Sequence, residues 1–175
     1  ARSAFARALD DVPERPRPPR FVDLDRAVER ADLAPGAQVH RAPNPYNDLY
    51  TLELRLGLGR YDRRELWVLG DYLKAAGTAD RGAQGLRDAL FALATDLQIA
   101  ATEEALVFRL QGPEDRLPAA LDLLAELLDR PAEDRAALRR LRLERWGRAR
   151  VERSQPRVIA DALREHVTFG ERSTY

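Results

Sequence analysis

The chain has 175 residues, with 29 Lys+Arg balancing 29 Asp+Glu, which fits one ordinary domain or a domain plus an appendage and argues against basic tails or acidic disordered arms. Hydrophobic residues make up 45% and charged residues 33%; that is enough apolar material for a core, yet charge interrupts every apolar run well short of the ~20 residues that span a bilayer. The absence of cysteine excludes disulfides, thiolate nucleophiles and cysteine-ligated metal, and leaves cytoplasm and periplasm equally compatible.

Lys74 is the single lysine, so the basic residues are otherwise arginines, a compositional bias more than a nucleic-acid signature. The chain does not open with methionine and is expected to be a piece of a longer protein. Residues 1–32 read as a Pro/Arg-rich inter-module linker with short helical pieces. Pro13, Pro16, Pro18 and Pro19 alternate with Arg15, Arg17 and Arg20 and can sustain neither a helix nor a central strand. Phe5 to Leu9 looks like the tail of a helix, and Phe21 to Arg30 like a brief helical or irregular strap. The boundary is placed near Asp32, with residues 33–175 as the folded module.

Ala37 to Arg41 is a short strand candidate, and Pro43-Asn44-Pro45 with Asn47-Asp48 supplies turn formers. These predict a hairpin with the next run, where Leu52, Leu54, Leu56 and Leu58 alternate with Glu53, Arg55 and Gly57 and so bury one face. Asp62 and Glu65 form a capping pair for a helix whose Leu66, Leu69 and Leu73 share a face until Gly77. A second helix after Gly82 carries Leu86, Ala89, Leu90 and Leu93. Leu97 to Thr102 and Leu106 to Leu110 return to period two around Glu103 and Glu104, as a second hairpin.

After Gly112-Pro113 the pattern is helical. Leu117, Leu121, Leu124 and Leu128 form one stripe, ended by Pro131. A helix from about Ala132 to Arg153 is expected to turn Leu138, Leu141 and Trp146 inward and an arginine face outward. Ser154 and Pro156 start a last helix with Ile159, Ala162, Leu163 and His166 on one side before Gly170. This order predicts an α+β fold: an antiparallel-rich sheet with helices on one face.

Residue chemistry alone supplies no self-contained active site. His40 and His166 are the only histidines, and zinc needs three or four ligands. Ser3, Ser154 and Ser173 occupy termini and a helix cap, away from any strand-to-helix elbow. Glycines 57, 59, 77, 82 and 85 never reach phosphate-cradling spacing. Arginines from Arg135 to Arg153 interleave with Glu144 and Glu152 and lack a stacking platform, so they read as a solvated helix face.

The segment Asn44-Pro45-Tyr46-Asn47-Asp48-Leu49-Tyr50, the alternating strand to Gly57, and the helix ending Asp71-Tyr72-Leu73-Lys74-Ala75-Ala76-Gly77-Thr78 resemble the insulinase/pitrilysin family of zinc peptidases, over most of residues 36 to 175. The resemblance implies a processing-peptidase-like metallohydrolase fold, here truncated at its C-terminal end. Catalytic modules of that family carry His-x-x-Glu-His on this helix. Counting back from Gly77-Thr78, the matching positions hold Val68, Asp71 and Tyr72, so both imidazoles are replaced. The family's further glutamate ligand falls in the neighbourhood of Glu144 and Glu152.

The resemblance therefore implies an inactive, non-catalytic module with no catalytic residue and no metal of its own. Zinc would belong to a catalytic module of the parent protein. The implied partners are that catalytic module, in the same or another chain, and the peptide substrate of a clamshell chamber. Nucleic acid and a membrane span are not expected, and the isolated fragment would form a homodimer. The alternative is an assembly or interaction subunit that keeps the peptidase fold without associated protease activity.

Overall fold

The computed structural model describes residues 21–170 together with Ser3, Phe5 and Ser173. The expected linker from Pro13 to Arg20, and Ala6 to Leu9 of the expected terminal helix, lie outside the described residues. The chain divides into two units, residues 1–45 and residues 46–175.

In the first unit, Asp23 caps the four-residue helix α1 (Leu24–Ala27), its carboxylate accepting from the Asp25 N–H at 3.2 Å. Strands β1 (Glu29–Ala34) and β2 (Ala37–Arg41) then pair antiparallel. Gly36 between them has φ +82°, the left-handed conformation that a tight hairpin turn requires. Here the structure corrects two expectations. Asp32, placed at the boundary, lies inside β1, and β2 pairs with β1 rather than with the leucine-alternating strand. The sequence Glu-Arg-Ala-Asp-Leu-Ala has no alternation to announce a strand, and β1 and β2 are exposed throughout. Beyond β2, Pro43 and Pro45 lack the N–H groups that would continue a ladder.

The second unit begins with β3 (Leu49–Leu56), followed by α2 (Leu66–Ala76), α3 (Gly82–Ala92), β4 (Asp96–Ala101) and β5 (Leu106–Pro113). A 3-10 turn at Glu114–Arg116 leads into α4 (Leu117–Asp129), α5 (Arg135–Glu152) and α6 (Pro156–Phe169). Strand β5 is central, antiparallel to both β3 and β4, with Leu52 opposite Leu110 and Ile99 opposite Phe108. Leu106, Phe108 and Leu110 point to the helices and pack with Leu73, Leu86, Leu97, Ala120, Leu124 and Leu127. The opposite sheet face is polar: Arg109 donates to Glu53 at 2.7 Å and Gln111 to Thr51 at 3.1 Å. This is the expected α+β layout, helices on one face of an antiparallel sheet.

Details of three helices differ from the leucine pattern. Asp62 does not cap α2; its carboxylate accepts from the Gly59 N–H at 2.9 Å, closing a turn, and the helix starts at Leu66. In α4 the buried set is Ala120, Leu123, Leu124 and Leu127, whereas Leu121 and Leu128 are each 39% exposed. At 100° per residue the leucines spread over an arc of about 160°, wider than the face that packs, so spacing alone does not select which part of it turns inward. In α5 only Ala137 is buried, and Trp146, expected inside, is 78% exposed. No helix among the described residues is long and apolar enough to cross a membrane.

Candidate functional site

Helix α2 lies on β4 and against α5. Its approach to the sheet depends on Gly70, where a Cβ would stand 2.5 Å from the Ile99 carbonyl oxygen. Trp67 and Asp71, four residues apart, share a helical face. Arg145 reaches that face from α5. Its guanidinium carbon lies 3.1 Å from the centre of the Trp67 ring, and its Nη2 lies 3.5 Å from Asp71 Oδ2. A planar cation is thus stacked on an indole and paired with a carboxylate, an arrangement suited to arginine and not to lysine.

Tyr72 faces the entry to α5. Its hydroxyl donates to the Ala132 carbonyl at 3.1 Å and accepts from the Asp134 N–H at 3.1 Å. Asp134 in turn caps α5, accepting from the Ala136 and Ala137 N–H groups at 2.8 and 2.9 Å. The Ala137 bond, then that of Ala136, holds the Asp134 carboxyl below its ordinary pKa. Val68 is half-buried and contributes only an aliphatic side chain.

The Gly77-Thr78 pair closes α2. Gly77 has φ +75°, and a Cβ there would collide with the backbone of Gly82 and Ala83. Thr78 is fully buried. Its hydroxyl donates to Glu126 Oε1 at 2.5 Å and accepts from the Arg81 N–H at 3.1 Å. Arg81 Nε donates to the other carboxylate oxygen of Glu126 at 3.0 Å. The Thr78 hydroxyl, followed by Arg81, holds the Glu126 carboxyl below its ordinary pKa. Backbone bonds from Ala79 N–H to the Arg130 carbonyl and from Ala132 N–H to the Gly77 carbonyl tie this turn to the end of α4.

The residues present do not fit a zinc ion. Val68 offers no donor atom, Tyr72 is committed to the start of α5, and Asp71 is paired with Arg145. Glu144 and Glu152 are exposed on α5, and no cluster of three or more His, Asp or Glu side chains suited to a metal occurs among the described residues. His40 lies exposed on β2 and His166 exposed on α6. The Ser154 hydroxyl donates to the Val151 carbonyl at 2.6 Å, a helix-end contact and not a nucleophile's. Sequence reasoning located Val68, Asp71 and Tyr72 on one helix, but missed Arg145, Trp67 and Glu126. Their partners are distant in sequence, and the ordinary four-residue spacing of Trp67 and Asp71 gives no sign of Arg145.

No family model matches the chain, and no curated protein matches it. Solved structures do. The crystal structure of an M16 peptidase inactive domain from Pseudomonas fluorescens aligns with a TM-score of 0.76 at 18% identity, covering 84% of this chain and 37% of its own. The periplasmic protease PqqL from Escherichia coli aligns with a TM-score of 0.69 at 13% identity, over 87% of this chain and 18% of that one. A mutant of the ferredoxin protease FusC, in complex with Arabidopsis ferredoxin, gives 0.67 at 16% identity, over 91% and 19%. The chain therefore spans little more than a third of the first protein and under a fifth of the other two. At these identities the likeness establishes the fold: the architecture is that of an M16 peptidase domain, as the resemblance to the insulinase/pitrilysin family implied.

Proposed function

We propose that this chain is a non-catalytic module of a zinc-dependent metallopeptidase, completing the chamber around peptide substrates and packing against the half that holds zinc. The observation that carries this reading is the state of the α2 face. Where the family resemblance places two imidazoles and a glutamate, this chain has Val68, a Tyr72 hydroxyl already bonded to Ala132 and Asp134, and an Asp71 carboxylate beside Arg145. A carboxylate held against a fixed cation, with no metal donors around it, cannot lower the pKa of a water toward neutrality.

The partner is a module with an intact His-x-x-Glu-His motif, encoded in the same gene or a neighbouring one. The test is hydrolysis of a fluorogenic peptide by that catalytic module, measured alone and with this chain added. We expect no turnover by this chain alone and a gain in kcat/KM on adding it. Turnover by this chain alone, or a catalytic module indifferent to its presence, contradicts the reading. In isolation the chain is expected to pair with a second copy, because β3 and β4 each keep one edge without a strand partner among the described residues. A monomer by light scattering at high concentration contradicts that pairing.

A further inference from the structure

Helix α5 has two unlike faces. Ala137, Leu141 and Arg145 turn toward the body of the unit, where α5 meets α2. Arg139, Arg142, Leu143, Trp146 and Arg150 recur at spacings of three and four residues and so line one outer stripe. Leu143 is 70% exposed and Trp146 is 78% exposed at its centre. No carboxylate among the described residues pairs with Arg139, Arg142 or Arg150; Arg145 is the α5 arginine held in an ion pair.

The charge is local. Helix α5 carries seven arginines and two glutamates, which leaves 22 basic against 27 acidic residues in the rest of this neutral chain. A large exposed indole beside an exposed leucine, framed by unpaired arginines, has the composition of a protein-interface hot spot, where tryptophan and arginine dominate. Nucleic acid fits less well. A phosphate backbone would leave Leu143 and the Trp146 indole without an apolar seat, whereas a protein surface can bury both.

We propose that the outer stripe of α5 binds an acidic protein surface, one that pairs carboxylates with Arg139, Arg142 and Arg150 around an apolar seat for Trp146 and Leu143. The proposal stands apart from the peptidase reading, since it needs no chamber and no zinc. Opposite charges flanking an apolar contact set register and association rate, while the buried indole supplies affinity.

The test uses the whole 175-residue chain and, as probe, a synthetic helical peptide with glutamates on either side of a leucine stripe, titrated by calorimetry. Saturable binding at low salt that weakens as salt shortens the screening length from about 10 Å at 0.1 M to about 3 Å at 1 M is expected. Trp146→Ala and the triple variant Arg139→Glu/Arg142→Glu/Arg150→Glu should each weaken binding about tenfold or more, as loss of hot-spot residues does. Arg87→Glu, on α3, should leave it unchanged. All altered side chains are exposed, so circular dichroism should show every variant folded. The proposal is overturned if the peptide does not bind at low salt, or if the α5 variants bind it as well as the parent. It is overturned equally if duplex DNA binds the stripe more tightly, or if the stripe mediates self-association that the same variants abolish.

Discussion

Thr78 shows how much of the Gly77-Thr78 turn is packing. Its buried hydroxyl donates to one carboxylate oxygen of Glu126 and Arg81 Nε donates to the other. Replacing Thr78 with Val keeps the shape but leaves Glu126 short of a donor, at a cost of about 1–3 kcal/mol by urea denaturation. Gly77→Ala should cost a similar amount, about 1–3 kcal/mol, because the left-handed backbone and the adjacent Gly82 both reject a Cβ. The Glu126 carboxyl is held below its ordinary value of about 4.3. Its stabilising contribution is therefore complete above that value and lost as pH falls through the depressed one. Thermal midpoints measured from pH 6 to pH 2 should fall in acid, and Glu126→Gln should flatten that part of the curve. In the sequence Gly77 was legible as a helix stop, but Glu126 was not, because its partner lies 48 positions away.

At the scale of elements, the α2–α5 junction joins two helices through one cation and one phenol. Arg145→Ala removes the stack on Trp67 and the ion pair with Asp71, and should lower stability by about 1 kcal/mol, the order expected of an Arg–indole contact. Arg145→Lys should recover only part of that, since an ammonium cannot lie flat on the ring. A shift of Trp67 emission, read in a Trp146→Phe background, checks that the stack itself is lost. The helices were legible as helices throughout, but their faces were not. In α4 six leucines and three alanines spread over one continuous arc of about 240° at 100° per residue, and contact with the sheet selects the part containing Ala120 and Leu127, both fully buried. In α5 leucines at helical spacing suggested an inward face, whereas the side that meets α2 carries alanine, leucine and an arginine.

For the whole molecule, the alternating leucines of β3 and the period-two runs of β4 and β5 revealed a sheet with one apolar face. They could not reveal strand order. The pairing of β3 with β5 spans two intervening helices and a strand, and it rests on cross-strand fit such as Leu54 against Phe108 rather than on any local signal. The candidate metal face shows the same division. That Val68 and Tyr72 bring no imidazole to this helix was visible from the chain, but the cation beside Asp71 comes from residue 145 and became visible only in the fold. Zinc content of the purified chain, dialysed without chelator and measured by plasma mass spectrometry, tests this account most directly. The account predicts far less than one equivalent, unchanged by Asp71→Asn; one tightly held equivalent that Asp71→Asn removes would contradict it.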